Sequence, residues 1–391
     1  MKKIFIMNLG TTSFKFKFYL FSDEKREVLA SGEIESVGAE QSRYELQLVD
    51  GKKDSGAMHI GNHAEGFSFC VKALQECGLL KDLSDLDAVG YKAVHGGSLS
   101  GTRFVDDELL VEMERVTPLA PSHNPIYLTA MKDIRDRFPS LVQIARFETS
   151  FHATIPDCRT TYGVPYQWRE EWGIRKYGFH GSSHEYIAGR VREISPETRR
   201  VISCHLGGSS SICAILDGKS VATTMGATPQ SGLFNNNRVG DFEVFCLPVL
   251  QEHYGSLEKV LRVLSSESGL LGLSGVSNDL RLVFDKMDEG DAHAKLAVET
   301  LVDNIVGYIG MYTAYLGGLE ALVFTGGIGL NSDRLRDMVC SKLGYMGLSL
   351  DAEKNSTKGG ECVSTEDSKV KVYRIKTDEE IVVAGNVYAM L

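Results

Sequence analysis

Two stretches in opposite halves of this 391-residue chain repeat one pattern, and the repetition constrains the fold more than any other feature. Residues 201–218, VISCHLGGSSSICAILDG, run from a short apolar segment through Gly207-Gly208 and three serines into a second apolar segment. That order predicts two strands joined by a tight turn. A turn of glycines and serines keeps no bulky side chain in front of its backbone N–H groups, so it suits a phosphate. Residues 7–15, MNLGTTSFK, echo the unit: apolar strand, polar residue, Leu-Gly, hydroxyl cluster, second strand. A repeated unit of this kind predicts two related halves, each with a phosphate-facing hairpin, and a nucleotide held between them.

The chain is long enough for two ordinary domains, each with its own core. A formal net charge of −10 argues against nucleic acid or an anionic membrane as partner, since both call for a basic face. An anionic substrate must then be held by a few local cations. The eight cysteines are scattered, with no Cys-x-x-Cys and no clustering with histidine, which is the usage of reduced thiols and not of a zinc site or disulfide framework. Lys2-Lys3 and the apolar residues 4–7 resemble the start of a signal peptide, but Asn8, Gly10, Lys15 and Lys17 interrupt it. No apolar run approaches membrane-spanning length, and a cytoplasmic location is the expectation.

Along the chain, strands are expected at residues 3–8, 13–20 and 28–35, then a helix over 61–77 and a strand over 86–93 that runs into His95-Gly96-Gly97. Residues 119–130 set a proline-bracketed His-Asn before a helix start, and a strand over 142–147 delivers Glu148. RKYGFHGSSHEYIAGR (175–190) places two histidines around a Gly-Ser-Ser turn that enters a helix. Residues 223–241 read as a long polar loop carrying Arg238. Residues 292–316 space Leu296, Leu301, Ile305, Ile309, Tyr312 and Leu316 as an amphipathic helix for core or subunit packing, ended by Gly317-Gly318. ALVFT (321–325) is a buried strand opening into Gly326-Gly327-Ile328-Gly329, and a last strand over 368–375 precedes Asp378-Glu379-Glu380 and a closing helix. Glycine-rich strand ends that converge on one crevice are how open α/β sheets hold ligands.

HLGGSSS, RKYGFHGSSHEY, LAPSHNP, SGLLGLSG, FTGGIG and TDEEI, in that order and nearly end to end, resemble the acetate kinase family. The resemblance implies an α/β protein of two duplicated ribonuclease-H-like (actin-like ATPase) domains with an interdomain cleft. The first would span 1–149 plus 379–391, closed by the C-terminal helix, and the second, nucleotide-binding, 150–378. It further implies a homodimer, Mg²⁺, ATP or ADP as substrate, and reversible phosphoryl transfer to a short-chain carboxylate, giving an acyl phosphate.

By the same resemblance, Asn8, Thr11 and Ser13 occupy the first phosphate hairpin, and His123, His180 and His205 surround the transferring phosphoryl group. Arg238 clamps carboxylate and phosphoryl oxygens. Gly207, Gly208, Ser209, Asp279, Arg281, Gly327, Ile328 and Asn331 attend the nucleotide with His205 and Lys15. Asn8, Glu148 and Glu379 attend the magnesium, with Glu380 the competing neighbour of Glu379. Val94, Ser122, Phe179 and Pro229 line the acid pocket. Some positions depart from the family pattern. Lys92 stands where the family has a substrate-binding arginine, Glu148 where it has a catalytic aspartate, and Ser122 replaces an apolar residue. Gly208-Ser209 replaces Asn-Gly, and Leu330 a glutamate.

The chemistry asks for these residue types. A carboxylate is already ionised, so in-line attack on the γ-phosphorus needs no strong base, only cations to hold two anions together and donors for the equatorial oxygens. Arg238 with Lys92 suits the first task and His180 the second. Lysine keeps the charge of arginine but loses its planar fork, while glutamate reaches one methylene further than aspartate. Positions 92 and 148 can therefore be mutually adjusted, or can mark a nucleotide-binding regulatory protein that has lost catalysis. A hydroxyl at 122 suits a larger or hydroxylated acid.

Overall fold

The computed structural model describes residues 1–357 and 359–391, and divides into two compact units, Met1–Ala153 with Asp378–Leu391, and Thr154–Thr377. The first unit holds eight strands: β1 Lys2–Leu9, β2 Ser13–Phe21, β3 Arg26–Glu35, β4 Ser42–Leu48, β5 Lys53–Met58, β6 Ala88–Ala93, β7 Thr102–Phe104 and β8 Gln143–Phe147. They form one sheet in the order β5-β4-β3-β2-β1-β6-β8-β7. The second unit holds β9 Arg200–His205, β10 Ser211–Leu216, β11 Lys219–Thr223, β12 Ala321–Thr325 and β13 Lys371–Arg374, in the order β11-β10-β9-β12-β13.

The duplication expected from the two hairpins is present strand for strand. In each sheet the first three strands of the repeat are an antiparallel meander, and the next two run parallel to the first on its other side. Even the irregularity recurs: the ladder between second and third strands shifts register at Phe18/Tyr19 and again at Ala214/Ile215. The first sheet is extended by β4 and β5, which the sequence patterning does not announce.

β1 is buried on both faces because it is central. Phe5, Met7 and Leu9 meet Phe14, Phe16 and Phe67 on one side, and Ile4 and Ile6 meet Val383, Ala384 and Val387 of the C-terminal helix Glu379–Tyr388 on the other. That packing returns the last residues of the chain to the first unit and sets Glu379 and Glu380 at a helix start. In the second unit, helix Ala292–Leu316 spans the expected stretch. Its stripe buries Leu301, Ile305, Ile309, Tyr312 and Leu316 against Ile202, Cys204, Ile212 and Ala214. Leu296 departs from the expectation: it is 55% exposed, since the buried stripe in that turn passes through Ala294, Ala297 and Val298. All eight cysteines are free thiols.

Candidate active site

The second unit builds its site around the β9–β10 hairpin. The Leu206 amide donates to Thr325 O at 2.8 Å, and Leu206 O accepts from Ile328 N at 2.8 Å and Gly329 N at 3.0 Å. Residues 326–329, read from sequence as a loop, are therefore the start of a short helix, Gly326–Asn331. Glycine is a poor helix former, but the two amides caught by Leu206 O fix the turn here. Gly326 must be glycine: its φ is +76°, and a Cβ would lie 2.5 Å from Leu206 O. Gly207, Gly208, Asp279, Arg281, Gly327, Ile328 and Asn331 share the lining of one cavity of about 720 Å³, together with Phe284 and Arg334. This is a volume suited to a nucleotide-sized ligand. Arg281 pairs with Asp279, whose carboxylate also caps helix Leu280–Asp288. Arg334 grips Asp288 by two bonds of 2.7 Å and lies over the Phe284 ring at 4.4 Å.

Arg238 projects from the polar loop expected at 223–241. That loop is tied to the hairpin: Asn235 Oδ1 accepts from the Ser210 amide, and Arg238 Nη1 donates to Ser209 Oγ at 3.0 Å. Asp241 Oδ1 accepts from Gly232 N at 2.8 Å, pinning the loop's other limb. The Arg238 guanidinium is half-buried, and burial lowers its pKa. No ion pair of Arg238 occurs among the described residues, which leaves its charge available to an anion. Beside it, His180 occupies the left-handed region, φ 58° and ψ 28°, as the residue before helix Gly181–Ile194. A non-glycine residue there costs about 1–2 kcal/mol, the kind of strain found at functional positions. Its ring stacks on His205, with centroids 4.3 Å apart. Phe179 is buried, and the amides of Tyr177 and Gly178 bond Gly226 O in the segment that leads to Pro229.

The first unit gathers a second cluster at the strand ends of β1 and β6. Lys92, on β6, pairs with Glu379 Oε2, and each side chain is 15% exposed. Burial works against the charge on Lys92, yet Glu379 and then Glu148 outweigh it and hold the ammonium above its usual range. The ammonium is thus engaged by carboxylates of its own unit. Glu148 is buried at the end of β8. Asn8 Nδ2 donates to Glu380 Oε1 at 3.2 Å, and Lys17 bridges Asp378 at 2.8 Å and Glu380 at 3.4 Å. So Asn8 touches Glu380, and Lys92 touches Glu379. His123 precedes helix Asn124–Arg137, held in place by the buried Asn124, whose Nδ2 donates to His95 O at 2.9 Å and Met113 O at 3.1 Å. Val94 is half-buried and Ser122 exposed. Lys15 is exposed on β2 and paired with Glu33 at 2.9 Å, outside the lining of the 720 Å³ cavity.

Sequence reading passed over several supporting groups. Tyr127 accepts the Leu9 amide at 2.9 Å, and its burial pushes the phenol up to about 12. His63 Nε2 donates to Gly10 O at 3.0 Å, bracing the first hairpin from helix His63–Glu76. His184 and Ser211 were singled out only as part of motifs, and both are buried.

Residues 3–385 match the acetokinase family model. The chain belongs to the acetokinase family. It is 39% identical to the acetate kinase of Bacillus cereus over 393 aligned residues, covering 99% of this chain and 98% of the other. Its structure superposes on a crystal structure of Porphyromonas gingivalis acetate kinase with a TM-score of 0.89 at 34% identity, covering all of both chains. A propionate kinase from Francisella tularensis superposes with the same TM-score at 32% identity and 99% coverage of each chain. Family membership makes the protein a phosphotransferase with a carboxyl group as acceptor. Among the described residues, no helix is long and apolar enough to cross a membrane.

Proposed function

We propose that this protein is a magnesium-dependent carboxylate kinase that moves the γ-phosphoryl group of ATP onto a short carboxylate, acetate foremost, and runs the reaction in both directions. The observation that carries this reading is the half-buried Arg238, tied to Ser209 of the second hairpin and unengaged by any acid among the described residues. A pure nucleotide binder has no evident need of it. In the second unit the nucleotide lies in the 720 Å³ cavity, with Gly207, Gly208 and the first amides of the Gly326–Asn331 helix at its phosphates and Asp279, Arg281 and Asn331 about the nucleoside. A carboxylate oxygen attacks the γ-phosphorus, the bond to the bridging oxygen breaks, and ADP leaves with that oxygen. Arg238 holds the two anions together, and His180 with His205 and His123 meets charge on the equatorial oxygens.

The first unit contributes the metal side. Glu148 and Glu379 lie about Lys92, and Asp378 and Glu380 about Lys17, so the wall carries several carboxylate oxygens. Among the described residues no three His, Cys, Asp or Glu groups close into a cage. An open, oxygen-bearing wall is what Mg²⁺ prefers, because it keeps several waters and is completed by phosphate oxygens. When bound, the ion neutralises charge on the transferring phosphate. Asn8, Glu148 and Glu379 would hold it, with Lys92 fixing the rotamer of Glu379. In this reading Lys92 and Glu148 are matched replacements and not signs of decay. We further propose that the enzyme is a cytoplasmic homodimer.

Val94, Ser122, Phe179 and Pro229 are assigned to the acid. The exposed Ser122 hydroxyl favours a second reading within the class, a larger or hydroxylated acid. Both are tested by trapping acyl phosphate as hydroxamate with Mg-ATP and a panel of acetate, propionate, butyrate and hydroxylated acids, with Arg238→Ala alongside. Turnover that Arg238→Ala abolishes supports the kinase, and the preferred acid decides between the readings. Nucleotide binding with no turnover on any acid would instead make this a regulatory protein.

A further inference from the structure

One face of the second unit's sheet buries polar side chains among its apolar ones. Strand alternation sends Ile202, Cys204, Ile212 and Ala214 toward helix Ala292–Leu316, so Ser203, His205 and Ser211 point to the opposite face. There they meet helix Gly181–Ile194. The His184 amide donates to His180 O at 3.0 Å, so His184 lies one turn along on the same side of the helix as His180. Ser203, His184 and Ser211 are all 0% exposed. They form a continuous line: Ser203 Oγ to His184 Nδ1 at 3.0 Å, His184 Nε2 to Ser211 Oγ at 2.9 Å, and Ser211 Oγ to His180 Nδ1 at 2.8 Å.

Such a line of hydroxyls and neutral imidazoles can carry its protons in either of two directions, and the far end decides which. Among the described residues, the only hydrogen-bond partner of the Ser203 hydroxyl is His184 Nδ1. If His184 donated to it, the Ser203 proton would be buried with no acceptor; if Ser203 donates, only a lone pair goes unused, which costs less. Ser203 therefore donates to His184 Nδ1. His184 then carries its proton on Nε2 and donates to Ser211 Oγ, whose own proton goes to His180 Nδ1. With Nδ1 an acceptor, the proton of neutral His180 stands on Nε2.

We infer that Ser203, His184 and Ser211 are positioning residues, a one-way hydrogen-bond relay that holds His180 as the Nε2–H tautomer so that it meets the phosphoryl group as a donor. The relay fixes the ring's rotation as well as its proton, and the stack on His205 fixes its plane. A donor set before substrate arrives needs no reorganisation when negative charge builds on the equatorial oxygens. The inference rests on the proposed role of His180 in phosphoryl transfer.

The test is the tautomer itself. In full-length protein labelled with ¹⁵N-histidine, long-range ¹H–¹⁵N spectra at neutral pH, with His180 and His184 assigned by His180→Gln and His184→Gln, should show Nδ1 of both rings as unprotonated and Nε2 as protonated. A proton on Nδ1 of either ring, or on both nitrogens of His180, overturns the relay. Ser211→Ala should shift His180 toward a mixture of tautomers and lower kcat on the order of 10–100-fold with ADP affinity unchanged, while Ser211→Thr restores both. An unchanged His180 tautomer in Ser211→Ala refutes the relay. An unchanged kcat in His180→Gln would instead refute the role of His180 and leave the tautomer result standing.

Discussion

Replacing Lys92 by methionine tests the reading of the first unit's charge cluster. The change keeps an unbranched side chain out to the ε carbon and removes the ammonium, leaving Glu379 and Glu148 without the cation they share. Removing one partner of a fully buried pair costs about 3–5 kcal/mol, and the 15% exposure of each side chain trims this to about 2–4 kcal/mol. The two tryptophans, Trp168 and Trp172, both lie in the second unit, stacked with centroids 5.8 Å apart, so tryptophan emission follows that unit while far-UV circular dichroism follows both. In urea, Lys92→Met should lower the midpoint of the dichroism transition and leave the tryptophan transition in place. Glu379→Gln added to it should recover at least about 1 kcal/mol, because the pair is coupled. Added Mg²⁺ should narrow the gap to wild type. A loss below about 0.5 kcal/mol, or no recovery in the double variant, would show that the two groups do not form a working pair.

Glu112 gives a pH signature. Its carboxyl is held down at about 2, foremost by the Arg115 guanidinium, with burial opposing and then the Ser98 amide assisting. A depressed carboxylate stabilises the fold above its ordinary pKa of 4.5, and that contribution fades as pH falls from there toward about 2. The stability difference between wild type and Glu112→Gln, measured by urea titration, should therefore be largest near neutrality and shrink on acidification; a pH-independent difference contradicts it. Gly326→Ala should cost about 1–3 kcal/mol and weaken ADP binding, since the left-handed backbone and Leu206 O both exclude a Cβ. By contrast, Gly310→Ala, with open space around the added carbon in helix Ala292–Leu316, should be neutral or stabilising by up to about 1 kcal/mol.

Much of the fold was legible because the duplicated hairpins announce themselves twice and the central strands are apolar enough to be seen. β1, β9 and β12 are such strands, and helix Ala292–Leu316 shows its period over seven turns' worth of sequence. What escaped did so for physical reasons. β5, at the edge of the sheet, reads KDSGAM, is exposed throughout and has no face to pattern, and β4 beside it buries only Ser42 and Leu46. Leu296 keeps the helical period but sits where alanines already complete the packing. Residues 326–329 have the composition of a loop and become helix only through Leu206 O, a contact no local sequence records. In the site, the loop glycines were readable from their spacing, and Asp279, Arg281 and Asn331 from the family resemblance. The partner of Lys92 was not, because residues 92 and 379 meet only when the last helix folds back on β6. His184 stood in a motif from the start, but its task depends on Ser203 and Ser211, one on each strand of a hairpin folded beneath it.

The central claim is that this chain moves a phosphoryl group between ADP and a short carboxylate. The most direct measurement supplies ADP, Mg²⁺ and acetyl phosphate and follows the mixture by ³¹P NMR. The account predicts that the acyl phosphate signal falls as the three signals of ATP rise, that added acetate and ATP drive it back, and that Arg238→Ala does neither. Wild-type protein that binds ADP yet leaves acetyl phosphate untouched, and propionyl phosphate likewise when that is supplied in its place, would contradict it.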